Sequence, residues 1–99
     1  MSTVGRFFVY MLASRKYGAI YVGVTGNLPA RTYLHREDLV EGFTSRYQVH
    51  RLVYFEQHDT ALAAIAREKQ IKKWLRAWKI ELIEKTNPAW DDLFDVIAS

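Results

Sequence analysis

The chain has 99 residues, 49% of them hydrophobic, and only two prolines, which is enough for one core and argues against disorder. It has no cysteine, so disulfides and thiolate metal sites are excluded, and any metal would rely on carboxylate, histidine, amide or water. A formal charge of +3 is only a weak pointer to a polyanion, and no apolar run is long enough to span a membrane.

The N-terminus has no charged segment followed by an apolar one, so the expected location is cytoplasmic. Residues 7–12 (Phe-Phe-Val-Tyr-Met-Leu) are aromatic and branched, which predicts a largely buried strand. Gly18 supplies a turn, and residues 19–24 form a second strand closing an antiparallel hairpin. Asn27 is suited to cap a helix with Pro29 in its first turn, and this helix is predicted over residues 28–37. Residues 38–48 read as a loop with little regular structure that opens towards the site.

A third strand is predicted over residues 51–56, and Asp59 or Thr60 caps a helix over residues 61–75. A further helix covers residues 76–85, with or without a break before it. Asn87-Pro88 ends it, and residues 89–97 add one short helix. Three short strands followed by helices make an α+β fold: a small three-stranded antiparallel sheet flanked by helices, in a single domain whose core spans about residues 7–93. Positive charge is regional, with seven Lys or Arg against three Glu between Ala66 and Lys85, and with Asp91, Asp92 and Asp95 behind it.

Four groups in this order are chemically suggestive. Tyr10 and Tyr21 stand near the ends of consecutive strands, and Arg31 and His35 share one helix face at i, i+4 spacing. Phenol and imidazole move protons, and a guanidinium fork holds phosphate. Glu68 is a charge in an apolar place. On a helical wheel it falls within about 10° of the mean direction of Ala61, Leu62, Ala64, Ile65, Ile71 and Leu75. A buried carboxylate needs compensation by a cation, an arginine or a water-filled cleft, and an ion pair with Arg31 or Lys72 is the plain structural alternative.

Assembled in this order, these residues resemble the GIY-YIG nuclease superfamily, above all its small stand-alone members related to the N-terminal nuclease domain of the excinuclease C subunit. Val9-Tyr10-Met11 stands where the first signature triplet falls, and Tyr21-Val22-Gly23 matches the second. Asn27-Leu28-Pro29-Ala30-Arg31 is similar to the segment leading into the family's helical arginine. Glu68 matches the metal-binding glutamate, and Asn87 matches the late asparagine. Thr44-Ser45-Arg46-Tyr47 and the run from Lys72 to Lys79 also resemble the stand-alone subgroup. There are departures: the first triplet lacks its glycine, and Val24 replaces a lysine of the excinuclease relatives.

The resemblance implies metal-dependent hydrolysis of a phosphodiester in DNA, with RNA as a further substrate class and repair or recombination as the setting. It implies one Mg²⁺ or Mn²⁺ at Glu68, a phosphate held by Arg31, and a proton taken from water by Tyr21 or, second in rank, Tyr10. On chemistry alone His35 ranks ahead of the tyrosines, because an unperturbed imidazole titrates near 6.5 and a phenol near 10. Arg46, Lys69, Lys72, Lys73, Arg76 and Lys79 are the expected phosphate-contacting cations. Trp74 and Trp78 are expected to pack the last helix. Two other readings stand beside the nuclease. One is a nucleic-acid-binding module of the same fold without turnover, and the other is a protein-interaction domain, pairing with a protein partner or a second copy through the C-terminal helices.

Overall fold

The computed structural model describes residues 6–37, 39 and 42–98, so Asp38, Val40 and Glu41 of the expected connector lie outside it. Three strands, β1 (Phe7–Ala13), β2 (Ile20–Thr25) and β3 (Arg51–His58), form an antiparallel sheet in the order β2-β1-β3. The helices are α1 (Leu28–Arg36), α2 (Phe43–Arg46), α3 (Ala61–Lys72), α4 (Arg76–Thr86) and α5 (Phe94–Ala98). The α+β architecture expected from the sequence is the one observed.

Side chains alternate between the two faces of a strand, and β1 is apolar on both. Val9, Met11 and Ala13 join Ala64, Ile71, Ile83 and Trp90 in one cluster, which places α3 and α4 on that face. Tyr10 and Leu12 join Leu28, Val49 and Leu52 in a second cluster, with Leu93 and Ile97 packed against it, which places α1 and α5 on the other. The sheet therefore lies between two helical layers, and the central strand is sealed from both sides.

Local signals explain most boundaries. Asn27 accepts from the Ala30 amide at 3.2 Å and Thr60 from the Ala63 amide at 3.1 Å, capping α1 and α3. The long helical stretch breaks after Lys72, and Leu75 becomes the extended N-cap residue of α4. Its side chain is therefore exposed, as are those of Leu62 and Ile65. The buried stripe of α3 narrows to Ala64, Glu68 and Ile71. Within the expected loop, residues 43–46 instead form the short helix α2, which the Val49 amide closes by donating to the Thr44 carbonyl at 2.8 Å. Arg76 is taken up by the hairpin: its Nη2 donates to the carbonyls of Tyr17 and Gly18, both at 2.7 Å.

The segment after α4 ties the two layers together. Asn87 is buried; its Nδ2 donates to the carbonyls of Val53 (3.0 Å) and Asp91 (2.9 Å), and its Oδ1 accepts from the Asp91 amide at 3.0 Å. Trp90 fills the α3–α4 side, its indole N–H donating to Glu84 at 2.7 Å. Two residues on, Asp92 pairs with Arg36 of α1, and the Leu93 amide donates to the Leu52 carbonyl at 2.8 Å. All polar functions of the Asn87 side chain are engaged by backbone. Asn87→Ala leaves buried partners unmade, so urea denaturation should show a loss of about 1–3 kcal/mol per unsatisfied group. A loss below about 0.5 kcal/mol would show the clamp to be dispensable.

Candidate active site

The site is built around a phenol in the middle of the sheet. Tyr10 lies opposite Gly23 in the β1–β2 register. A Cβ at Gly23 would stand 2.6 Å from the Tyr10 Cζ and hydroxyl and 2.9 Å from Tyr21 Cε2. The glycine is thus a gap through which the Tyr10 ring crosses β2. Tyr10 and Tyr21 point to the same face, with ring centroids 6.2 Å apart.

From above, α1 lowers two side chains onto the phenols. Arg31 and His35 are one turn apart, and the His35 ring lies 6.1 Å from the Tyr10 ring and 5.4 Å from the Tyr21 ring. Arg31 faces both phenols, and its interactions with Tyr10 and Tyr21 favour its charged form. His35 Nε2 lies 3.4 Å from the Tyr10 hydroxyl, while Nδ1 lies 3.1 Å from Thr44 Oγ1. Behind it, His50 Nδ1 donates to the His35 carbonyl at 2.6 Å.

Burial sets the charges. It is the main force that pushes the Tyr10 phenol up to about 12, with Tyr21 adding to it and Arg31 opposing it. It also pushes His35 down to about 4, helped by the positive charge of Arg31 and by His50. Near neutral pH both groups are uncharged, and Arg31 supplies the positive charge of the cluster. Tyr10 and His35 are 1% and 2% exposed, whereas Tyr21 and Arg31 are half-buried. The groups within reach of a ligand are therefore Tyr21 and Arg31, with the other two behind them.

Glu68 enters from the opposite layer. It lies between Ala64 and Ile71 on the sheet-facing stripe of α3, 8% exposed, with its carboxylate 2.5 Å from Lys72 Nζ. The expectation that this acid and the phenols share one cleft thus meets a sheet between them. However, α3 packs on β2 as well as β1, and β2 is an outer strand, so the path from one to the other runs round that strand. Among the described residues no group of three or more His, Asp or Glu is placed to hold a metal ion. Of the expected cations, Lys69 and Lys73 are exposed on the α3–α4 layer, Lys79 is half-buried there, and Arg46 is exposed on α2. Arg76 and Asn87 are spent on the hairpin turn and the tail clamp described above. Trp74 packs against the core, whereas Trp78 is exposed and meets it edge-on, with centroids 6.3 Å apart.

The model of the GIY-YIG catalytic domain matches residues 6–81. The chain belongs to the GIY-YIG family. Similar proteins include the UPF0213 proteins of Staphylococcus aureus strains Mu3, Mu50 and N315, each 31% identical over 78 residues, which cover 79% of this chain and 94% of each relative. No solved structure matches. Within this GIY-YIG domain, sequence reasoning placed Thr44 only in a family-like run and gave neither it nor His50 a place beside His35, which they touch from α2 and from the residue before β3. Neither shares a period or a motif with His35, so only the fold brings them together. It also missed a second polar cluster on the far face. Glu56 accepts from Tyr54 (2.5 Å), His58 (2.6 Å) and Arg67 (2.9 Å). Burial alone would raise the Glu56 carboxyl, but the three donors outweigh it and hold the carboxyl below its ordinary value.

A histidine held below its unfolded pKa is neutral in the fold, so between about 6.5 and about 4 the unfolded chain binds the extra proton. Stability should therefore fall as pH drops through that window and be complete above it. The NMR titration of the His35 ring should have its midpoint near 4, and a midpoint near the free value of about 6.5 would contradict the burial argument.

Proposed function

We propose that this domain hydrolyses phosphodiester bonds in nucleic acid, DNA foremost, with the help of a divalent cation. The observation that carries this reading is the Arg31 guanidinium, half-open to solvent and held against two phenols. A guanidinium so oriented presents its remaining N–H groups as a fork for phosphate oxygens. Beside it, Tyr21 is the accessible phenol and the better placed group to accept a proton from an attacking water. His35 has the more suitable intrinsic chemistry, but it is enclosed and both of its ring nitrogens are engaged. Its fitting role is support.

The donor set also fits a hard cation. Glu68 is a largely buried carboxylate whose recorded charge partner, Lys72, is an exposed, flexible chain able to swing away. Magnesium sites commonly use one or two carboxylates and complete their shell with water and substrate phosphate. Glu68 would be the protein ligand for Mg²⁺ or Mn²⁺, which when bound supplies positive charge to a phosphate oxygen. Exposed Lys69, Lys73 and Arg46 would add salt-sensitive attraction to the backbone. A second reading, a nucleic-acid-binding domain of this fold without turnover, draws support from one observation: Glu68 is paired with Lys72 in the opposite layer.

A plasmid-nicking assay with Mg²⁺ or Mn²⁺, extended to labelled nicked, flapped and intact duplex DNA and to RNA, tests both. Arg31→Ala and Glu68→Ala should each reduce cleavage by about 100-fold or more, and Tyr21→Phe should do likewise. Chelation should abolish it. Equal cleavage by wild type and Glu68→Ala would overturn hydrolysis at this site. Salt-sensitive binding with no cleavage of any substrate would select the second reading.

A further inference from the structure

His35 and Thr44 form a buried contact that the chemistry at Arg31 and Tyr21 does not itself require. Thr44 is 4% exposed and sits on the short helix α2, closed by the Val49 amide on the Thr44 carbonyl. Its Oγ1 lies 3.1 Å from His35 Nδ1, and on the other side of the ring Nε2 lies 3.4 Å from the Tyr10 hydroxyl. The direction of these bonds follows from what each group is able to do. Arginine has donors and no acceptor, so towards this cation the Tyr10 oxygen presents lone pairs rather than its proton. A phenol oxygen whose lone pairs face a cation is a poor acceptor for a further N–H, and its own proton needs a partner. His35 Nε2, at 3.4 Å, is able to take it when it carries no proton, beside the neighbouring Tyr21 hydroxyl. A neutral imidazole with a bare Nε2 has its proton on Nδ1, which then points at Thr44 Oγ1.

We propose that Thr44 is a positioning residue of this site: by accepting from His35 Nδ1–H it stabilises the imidazole tautomer whose Nε2 is free to receive the Tyr10 proton, and so holds the ring against the phenol that faces Arg31. The relay runs Tyr10 to His35 to Thr44, each group donating to the next, with the Arg31 charge at its phenol end. No proton has to leave the relay for it to work. It keeps the phenol beside Arg31 from turning away. Its effect on turnover rests on the nuclease reading above, but the tautomer does not.

The test combines ¹⁵N NMR of the imidazole rings with cleavage kinetics, on the full chain carrying Thr44→Val or Thr44→Ser. The His35 signals are assigned by their loss in His35→Gln. Wild type and Thr44→Ser should show His35 neutral at pH 7 with the proton on Nδ1. Thr44→Val leaves a buried Nδ1–H without an acceptor and should move the proton towards Nε2. With DNA substrate, kcat of Thr44→Val should fall about 10- to 100-fold, as on loss of an outer-shell hydrogen bond that orients a metal-site histidine, and Thr44→Ser should restore it. A wild-type His35 protonated on Nε2 overturns the proposal, and so does a Thr44→Val protein with unchanged tautomer and unchanged kcat. If wild type cleaves nothing, the nuclease reading fails and the wild-type spectrum still decides the tautomer. If Thr44→Val does not fold, the wild-type and Thr44→Ser spectra decide it.

Discussion

A phenol hydroxyl in the sealed centre of a sheet has to be satisfied, and much of this molecule is arranged around that requirement. Tyr10 is on the middle strand, covered by helices on both sides, where an unpaired hydroxyl would cost a large fraction of a small domain's stability. Three separate elements answer it. Gly23 on β2 gives the ring room to cross, and α1 brings Arg31 and His35 down at one-turn spacing. Through Thr44, α2 then satisfies the far side of the imidazole. Each depends on the others, because a shift in strand register would move Gly23 away from Tyr10 and turn Tyr21 to the opposite face.

Desolvation then decides what the cluster is able to do. It penalises charge, so the phenol keeps its proton and the imidazole loses its own, while Arg31, nearer the solvent, stays cationic. The outcome is a single positive charge backed by neutral hydrogen-bonding groups, an arrangement suited to receiving an anion. The contrast with Glu56 is instructive. That carboxylate is surrounded by Tyr54, His58 and Arg67, which hold it charged and saturate it, so its electrostatics are consumed within the fold. One cluster faces outward with a donor to spare, and the other is closed.

The two helical layers divide the labour. The α1 layer carries Arg31, the group we propose for phosphate, and the α3–α4 layer carries Glu68 and most of the exposed lysines, with β2 as the outer strand between them. The tail links the layers: Trp90 belongs to one core and Leu93 and Ile97 to the other, and Asp92 holds Arg36 at the end of the helix that bears Arg31 and His35. This tail lies beyond residues 6–81, which the family pattern covers, yet it braces the helix on which the site depends.

Much of this was legible in the residues themselves because it depends on local physics. Short runs of aromatic and branched residues marked the strands, Asn27 and the Asp59-Thr60 pair announced their helices as side-chain caps, and the i, i+4 spacing of Arg31 and His35 set them on one face. The oddity of Glu68 was visible too, since a wheel shows which way a helical side chain points relative to its neighbours. A wheel does not say which layer the helix joins, and there the sequence runs out. That Glu68 approaches from the far side of the sheet, that Arg76 is consumed by a turn 58 residues earlier, and that Thr44 meets His35 are contacts between segments distant along the chain. Their existence depends on which faces of the sheet the helices cover, and that choice is made only when the whole core packs at once.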